Sequence, residues 1–138
     1  MLDIVRDDDL DSYTDRKIFL SRIIPLLDTG ATVVLSVIPC IDGCLPVAGS
    51  EQRKRLRWFR DKLKHYDNVS IALHGIFHEV NYSYEFVDQV DYDIYDKVCR
   101  LMKEIFEDKF SLIFVPPHDQ ISSFNEKLIF YKIILFKK

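Results

Sequence analysis

The sequence predicts an α/β fold built on a parallel sheet. Two observations carry this. Short apolar runs alternate with longer amphipathic segments at least four times along the chain. One of those runs, Ala31 to Ile38 (ATVVLSVI), is continuous and rich in β-branched residues, as in a strand buried on both faces. With 138 residues, 48% of them hydrophobic, the chain suffices for one domain with a core of its own. Only 4 Gly and 5 Pro are present, which excludes collagen-like and low-complexity classes.

Leu2 to Val5 reads as a short strand that runs into a burst of acids. Thr14 to Asp28 reads as a helix with Ile18, Phe19, Ile23, Leu26 and Leu27 on its apolar face, Thr14 as its cap and Gly30 just beyond it. Pro25 is expected to kink its last turn. After the strand at 31–38 comes a loop over Pro39 to Gly49, and then a helix over Ser50 to Tyr66 with Leu56, Phe59 and Leu63 on one side. Val69 to Leu73 is a strand that ends at His74, and Gly75 to Gln89 reads as irregular. Val90 to Asp108 is the clearest helix, with Ile94, Val98, Leu101, Met102, Ile105 and Phe106 in one stripe. Ser111 to Val115 is a strand stopped by Pro116 and Pro117. A helix over Ser122 to Leu128 and a last strand over Phe130 to Phe136 complete the reading.

In folds of this class the functional groups collect at the carboxyl ends of the strands. Arg6-Asp7-Asp8-Asp9 follows the first strand, His74-Gly75-Ile76-Phe77-His78 the third, and Pro116-Pro117-His118-Asp119 the fourth. Three of the four histidines and the densest acid cluster therefore fall where the sheet would gather them. At i, i+4 spacing, one helical turn would point the rings of His74 and His78 the same way. Gly75 permits a sharp turn or a close approach. Two imidazoles and a carboxylate make a three-ligand set for zinc or a similar ion, with positions open to water or substrate. Along a strand Asp7 and Asp9 share one side and Asp8 takes the other, but at a strand end that alternation relaxes.

These motifs resemble the polysaccharide deacetylase superfamily, also called the NodB-homology or carbohydrate esterase family 4 domain. The likeness rests on Asp8-Asp9 at a strand end, His74-Gly-Ile-Phe-His78 at a later one, and Phe114-Val-Pro-Pro-His-Asp119 at a third. Arg6-Asp7-Asp8-Asp9 is closer to a divergent branch of the superfamily than to its Thr-Phe-Asp-Asp-Gly form. The match spans residues 2 to about 121. The resemblance implies an irregular parallel (β/α) barrel, here incomplete at about five strands and open or partial, in a single domain over 1–138. It implies Asp9, His74 and His78 as ligands of a divalent metal, zinc foremost, and Asp8 as general base. Asp7-Asp8 is the other register for the acidic pair. The implied reaction is hydrolysis of N- or O-acetyl groups on a sugar, with an acetylated carbohydrate as partner. A truncated, inactive remnant that binds metal or serves as an interaction module is the alternative.

The last part of the family barrel, which supplies the leaving-group acid, is missing. His65 and His118 remain for that role, and His65 sits on a helix expected to face outward. Residues 125–138 (NEKLIFYKIILFKK) read as an atypical tail or abrupt end. Exposed barrel edges would then favour a homo-oligomer.

The net charge of -3 gives no global pull toward nucleic acid or an anionic membrane. The chain starts without a basic leader or apolar core region, and no run approaches 18 apolar residues. Three cysteines are too few for a disulfide framework, so reduced thiols in a cytoplasm are expected. Arg53, Lys54, Arg55, Arg57, Arg60, Lys62 and Lys64, interleaved with Trp58 and Phe59, read as the solvated face of an outer helix or as a contact for phosphate or an acidic partner. The acid-rich stretch Glu85 to Asp96 offers them partners. Cys40 and Cys44 read as plain thiols near the pocket mouth, with metal or redox roles as the alternative, and Cys99 as core. Tyr82, Tyr84 and Phe86 either stack on a sugar ring or pack in the loop.

Overall fold

The computed structural model describes residues 4–41, 43–80, 83–86 and 90–136. Its elements are β1 (Ile4–Leu10), α1 (Arg16–Asp28), β2 (Thr32–Val37), α2 (Glu51–Leu63), β3 (Val69–Leu73), β4 (Glu79–Val80), β5 (Ser83–Tyr84), α3 (Tyr92–Phe106), β6 (Phe110–Phe114) and α4 (Ser123–Phe136). Four strands form a parallel sheet in the order β1-β2-β3-β6, and β4 with β5 makes a small antiparallel hairpin. The α/β class and the parallel sheet agree with the sequence. The sheet order follows chain order without reversal, so right-handed crossovers bring the helices to one face.

Alternation along the strands decides what each face carries. Val33, Leu35 and Val37 of β2 and Val69, Ile71 and Leu73 of β3 share the helix-facing side and are buried. They join Phe19, Ile23 and Leu27 of α1, Leu56, Phe59 and Leu63 of α2, and the α3 stripe in one apolar cluster. Phe19 meets Phe59 edge to face at 4.8 Å between centroids, which locks α1 against α2. The opposite face carries Val34, Ser36, Ser70 and Ala72 and is poorer in apolar bulk.

Helix α1 starts at Arg16, one turn-residue later than expected, because Asp15 caps it by accepting from the Ile18 N–H. Thr14 instead accepts from the Asp11 N–H. Ile18 is 56% exposed, so the buried face is Phe19, Ile23 and Leu27 alone. The helix runs on past Pro25 to Asp28, and the Asn68 amide donates to Leu27 O and Ala31 O, tying that end to the start of β3. Ser50 caps α2 and Asp91 caps α3.

Two further expectations fail. Residues 130–136 are not a strand: a single helix, α4, covers Ser123–Phe136. No Gly or Pro interrupts that run, so a helix begun at Ser123 has nothing to stop it. The main sheet accordingly has four strands, and among the described residues β1 pairs only with β2 and β6 only with β3. The basic residues of α2 also find partners other than those expected. Arg53 and Arg57 meet Glu104, and Arg60 meets Glu107 and Asp61, at 2.8–3.4 Å. Glu104 and Glu107 lie at the end of α3, because α2 packs beside α3. Arg16 and Lys62 stand over the Trp58 ring. Among the described residues no helix is long and apolar enough to cross a membrane.

Candidate metal centre

The carboxyl ends of the four parallel strands are stitched together by backbone hydrogen bonds that continue the sheet: Ile38 N–H to Leu10 O, His74 N–H to Val37 O, and Val115 N–H to Leu73 O, each at 2.8 Å. The acids of β1, the histidines after β3 and the loop after β6 are therefore neighbours.

The acidic run divides its side chains three ways. Asp7 lies on the helix face and pairs with Arg22 of α1. Asp8 points to the other face, where its Oδ1 accepts from Ser36 Oγ at 2.6 Å and its Oδ2 meets Arg6 at 3.0 Å. Arg6 in turn reaches Asp119 at 3.1 Å. Asp9 turns toward the histidines. The cause is a bulge: Asp7 pairs with Leu35 and Leu10 with Val37, so three steps on β1 match two on β2. Asp9 takes φ 66°, and strict alternation ends there. The bulge thereby aims Asp9, and neither Asp7 nor Asp8, at the histidines.

Asp9 Oδ1 lies 3.1 Å from His74 Nε2 and 3.2 Å from His78 Nε2. The three ligand atoms all fall within 4.8 Å of one another. His74 is 3% exposed, whereas the Asp9 side chain is 66% exposed, so the cluster is anchored inside and opens outward. A cleft of about 320 Å³ between β1 and α1, lined by Asp7, Asp8, Phe19 and Arg22 among others, shares Asp9 with the cluster but neither histidine.

The convergence of the rings does not come from a helical turn. Residues 74–78 form a bend in which Gly75 has φ 68° and His78 φ 68°. Gly75 is required twice over. Its φ favours glycine, and a Cβ there would stand 2.4 Å from Glu85 Oε2 and 2.5 Å from Pro117 Cγ. Glu85 itself accepts from the N–H groups of Ile76 (2.8 Å), Phe77 (3.0 Å) and His78 (3.0 Å). Burial pushes the Glu85 carboxyl above its ordinary range, and these three N–H groups pull it back.

The donor set suits a cation. His74 Nδ1 is 2.9 Å from Val115 O, which can only accept, so Nδ1 carries the ring proton. The Nε2 atoms of His74 and His78 both face the Asp9 carboxylate, and imidazole nitrogen and carboxylate oxygen are ligands of the zinc class. The carbonyl of Val115 fixes the tautomer of His74, as outer partners do for histidines that ligate metals.

His118 sits in the turn Pro117–Asp119 with φ 55°, its ring 4.7 Å from that of His78. It is thus beside the cluster. His65 is exposed in the turn after α2, away from these strand ends. Cys40 is fully buried, and burial, then Glu85, pushes its thiol up to about 12, so it lies behind the site rather than at a pocket mouth. Cys44 is exposed and Cys99 is core, as expected. Phe86 is fully buried against Phe114 and Tyr95, which removes it as a sugar platform. Tyr82 lies outside the described residues.

Ser36 and Glu85 were not singled out as site residues from the sequence. Ser36 had a visible signal, a lone hydroxyl in the run ATVVLSVI. Glu85 had none, because its partners are backbone groups. Taken together, the fold and site define an α/β chain whose parallel strands present an Asp-His-His cluster at their carboxyl ends. No family model, curated protein or solved structure matches the chain.

Proposed function

We propose that this chain is a metal-dependent hydrolase that removes acetyl groups from N- or O-acetylated sugars, on an incomplete barrel of the polysaccharide deacetylase type. The observation that carries the reading is the meeting of Asp9, His74 and His78 with Asp8 held one residue away. The motif resemblance supplies the substrate class.

A bound divalent ion, zinc in this reading, supplies Lewis acidity toward an acyl carbonyl and toward water. Asp9, His74 and His78 would hold it. Asp8, oriented by Ser36 and Arg6, takes the proton of the attacking water at a carboxylate oxygen. His118, beside His78, returns a proton to the leaving amine or alkoxide. The buried side of the cluster, formed by His74, keeps water to the open side.

The open sheet favours a second reading, an inactive remnant that binds metal or a partner. With four parallel strands the site is walled on fewer sides than a closed barrel would provide, and the edges of β1 and β6, unpaired among the described residues, support self-association.

Elemental analysis of the purified chain, followed by turnover on a panel of acetylated sugars, tests both. Stoichiometric metal with deacetylation that a chelator abolishes supports the first reading. Metal without turnover supports the second, and absence of metal rejects the first and leaves only the partner-binding form of the second.

A further inference from the structure

We propose that Glu85 is a positioning residue of the metal centre, whose carboxylate gathers the backbone N–H groups of Ile76, Phe77 and His78 and so sets His78 against Asp9. The inference rests on the metal-site reading above. It concerns a residue seven positions past His78, delivered by the β4–β5 hairpin.

Three successive amides turned toward one carboxylate form a small anion-binding concavity. Glu85 Oε2 is bonded to Ile76 N–H at 2.8 Å and His78 N–H at 3.0 Å, and Phe77 N–H lies 3.0 Å from Oε1. This is the stretch that carries His78 through positive φ, a conformation that a non-glycine residue keeps only when its surroundings impose it. Gly75 and Pro117 close the concavity from behind, since any Cβ at 75 would enter the space of the Glu85 carboxylate and the Pro117 ring. Gly75 at the exit of β3 thus lies between the Glu85 carboxylate and Pro117 of the turn after β6, where His118 also sits. Among the described residues no lysine or arginine forms an ion pair with Glu85.

Gln in place of Glu85 keeps the shape but turns one acceptor oxygen into a donor that faces an N–H. Ala at Gly75 pushes on the same carboxylate from the other side. The test uses the full chain with Co²⁺ alone as probe, read by its visible absorption and by competition with a chelating dye. Amide hydrogen exchange is measured on the metal-free protein. Wild type is expected to bind one Co²⁺ per chain, and both E85Q and G75A to bind it about 10- to 100-fold more weakly with an altered band shape. Asn125→Ala, which removes a neighbouring hydrogen bond to Phe86 O, is the structural control and should leave Co²⁺ affinity within about twofold.

If folded E85Q binds Co²⁺ like wild type with an unchanged spectrum, the proposal is overturned. If neither variant folds, exchange in wild type decides: slow amides at 76, 77 and 78 support the proposal, and three fast ones sink it. If wild type takes up no Co²⁺ yet E85Q speeds exchange at those amides, the metal reading fails while the hold of Glu85 on His78 stands.

Discussion

Asp8 and Asp9 are adjacent in the chain, yet they serve different partners: Asp8 Oδ1 accepts from Ser36 Oγ at 2.6 Å, and Asp9 Oδ1 stands 3.1 Å from His74 Nε2. The bulge between Asp7 and Leu10 makes this division possible. Under the proposed function the two acids should separate in mutants. Asp9→Ala should weaken metal binding by about 100-fold or more, since outer partners alone are worth 10- to 100-fold. Asp8→Asn should keep the metal and lose turnover. Isothermal titration with Zn²⁺ reads the first effect. Loss of metal in Asp8→Asn would shift the assignment to the other register.

Ser36→Ala should leave metal affinity unchanged and slow turnover by about 10- to 100-fold, the worth of one hydrogen bond to a charged group. The check is kcat on any sugar that the wild type deacetylates. Full activity in this variant would show that Arg6 alone orients Asp8.

The alkaline limb of stability should depend on Tyr95. Burial, then the neighbouring Cys99, holds its phenol above the ordinary value. The unfolded chain therefore ionises first, at about pH 10. The folded state keeps its full stability below that pH and loses it as pH rises toward the folded value. Tyr95→Phe should flatten this loss. Urea melts at pH 8 and pH 10.5 make the comparison, and equal slopes for both proteins would refute it.

Thiol labelling should distinguish the three cysteines. Cys44 is exposed, whereas Cys40 and Cys99 are buried and the Cys40 thiol is pushed up to about 12. Iodoacetamide at neutral pH is expected to add one group quickly, at Cys44. Peptide mass spectrometry locates it, and rapid labelling of Cys40 would contradict its placement behind the site.

Core and surface positions of similar chemistry should part widely. Ile71→Ala should cost about 2–5 kcal/mol, because Ile71 is fully buried between the sheet and the helices. Ile18→Ala, at a position 56% exposed, should cost about 0.5 kcal/mol or less. Thermal melts of the two variants read the difference.

Much of the architecture was legible from local pattern. The β-branched run of β2, the stripe of α3 and the strand at 69–73 follow from side-chain periodicity, which acts over a few residues. Asp9, His74 and His78 were legible as candidate ligands because parallel strands collect their ends. The helical reading of His74 to His78 failed because their approach depends on Glu85 and Pro117, which are remote contacts. Ile18 misled because helical spacing marks an apolar face without saying how wide a neighbour covers it. The strand expected at 130–136 failed for the opposite reason: an apolar run of that length satisfies either period, and continuity from Ser123 settled it as helix.

Residue order alone was enough for the class of fold, most of the succession of its elements and a candidate carboxylate and two imidazoles at the ends of two parallel strands, since each depends on short-range preference and chain direction. The assembled molecule decided which aspartate faces the imidazoles, which hydroxyl and which carboxylate hold the loops, and that the described sheet stays open. Those outcomes hang on a one-residue bulge and on contacts between segments far apart in the chain, and no local pattern encodes them.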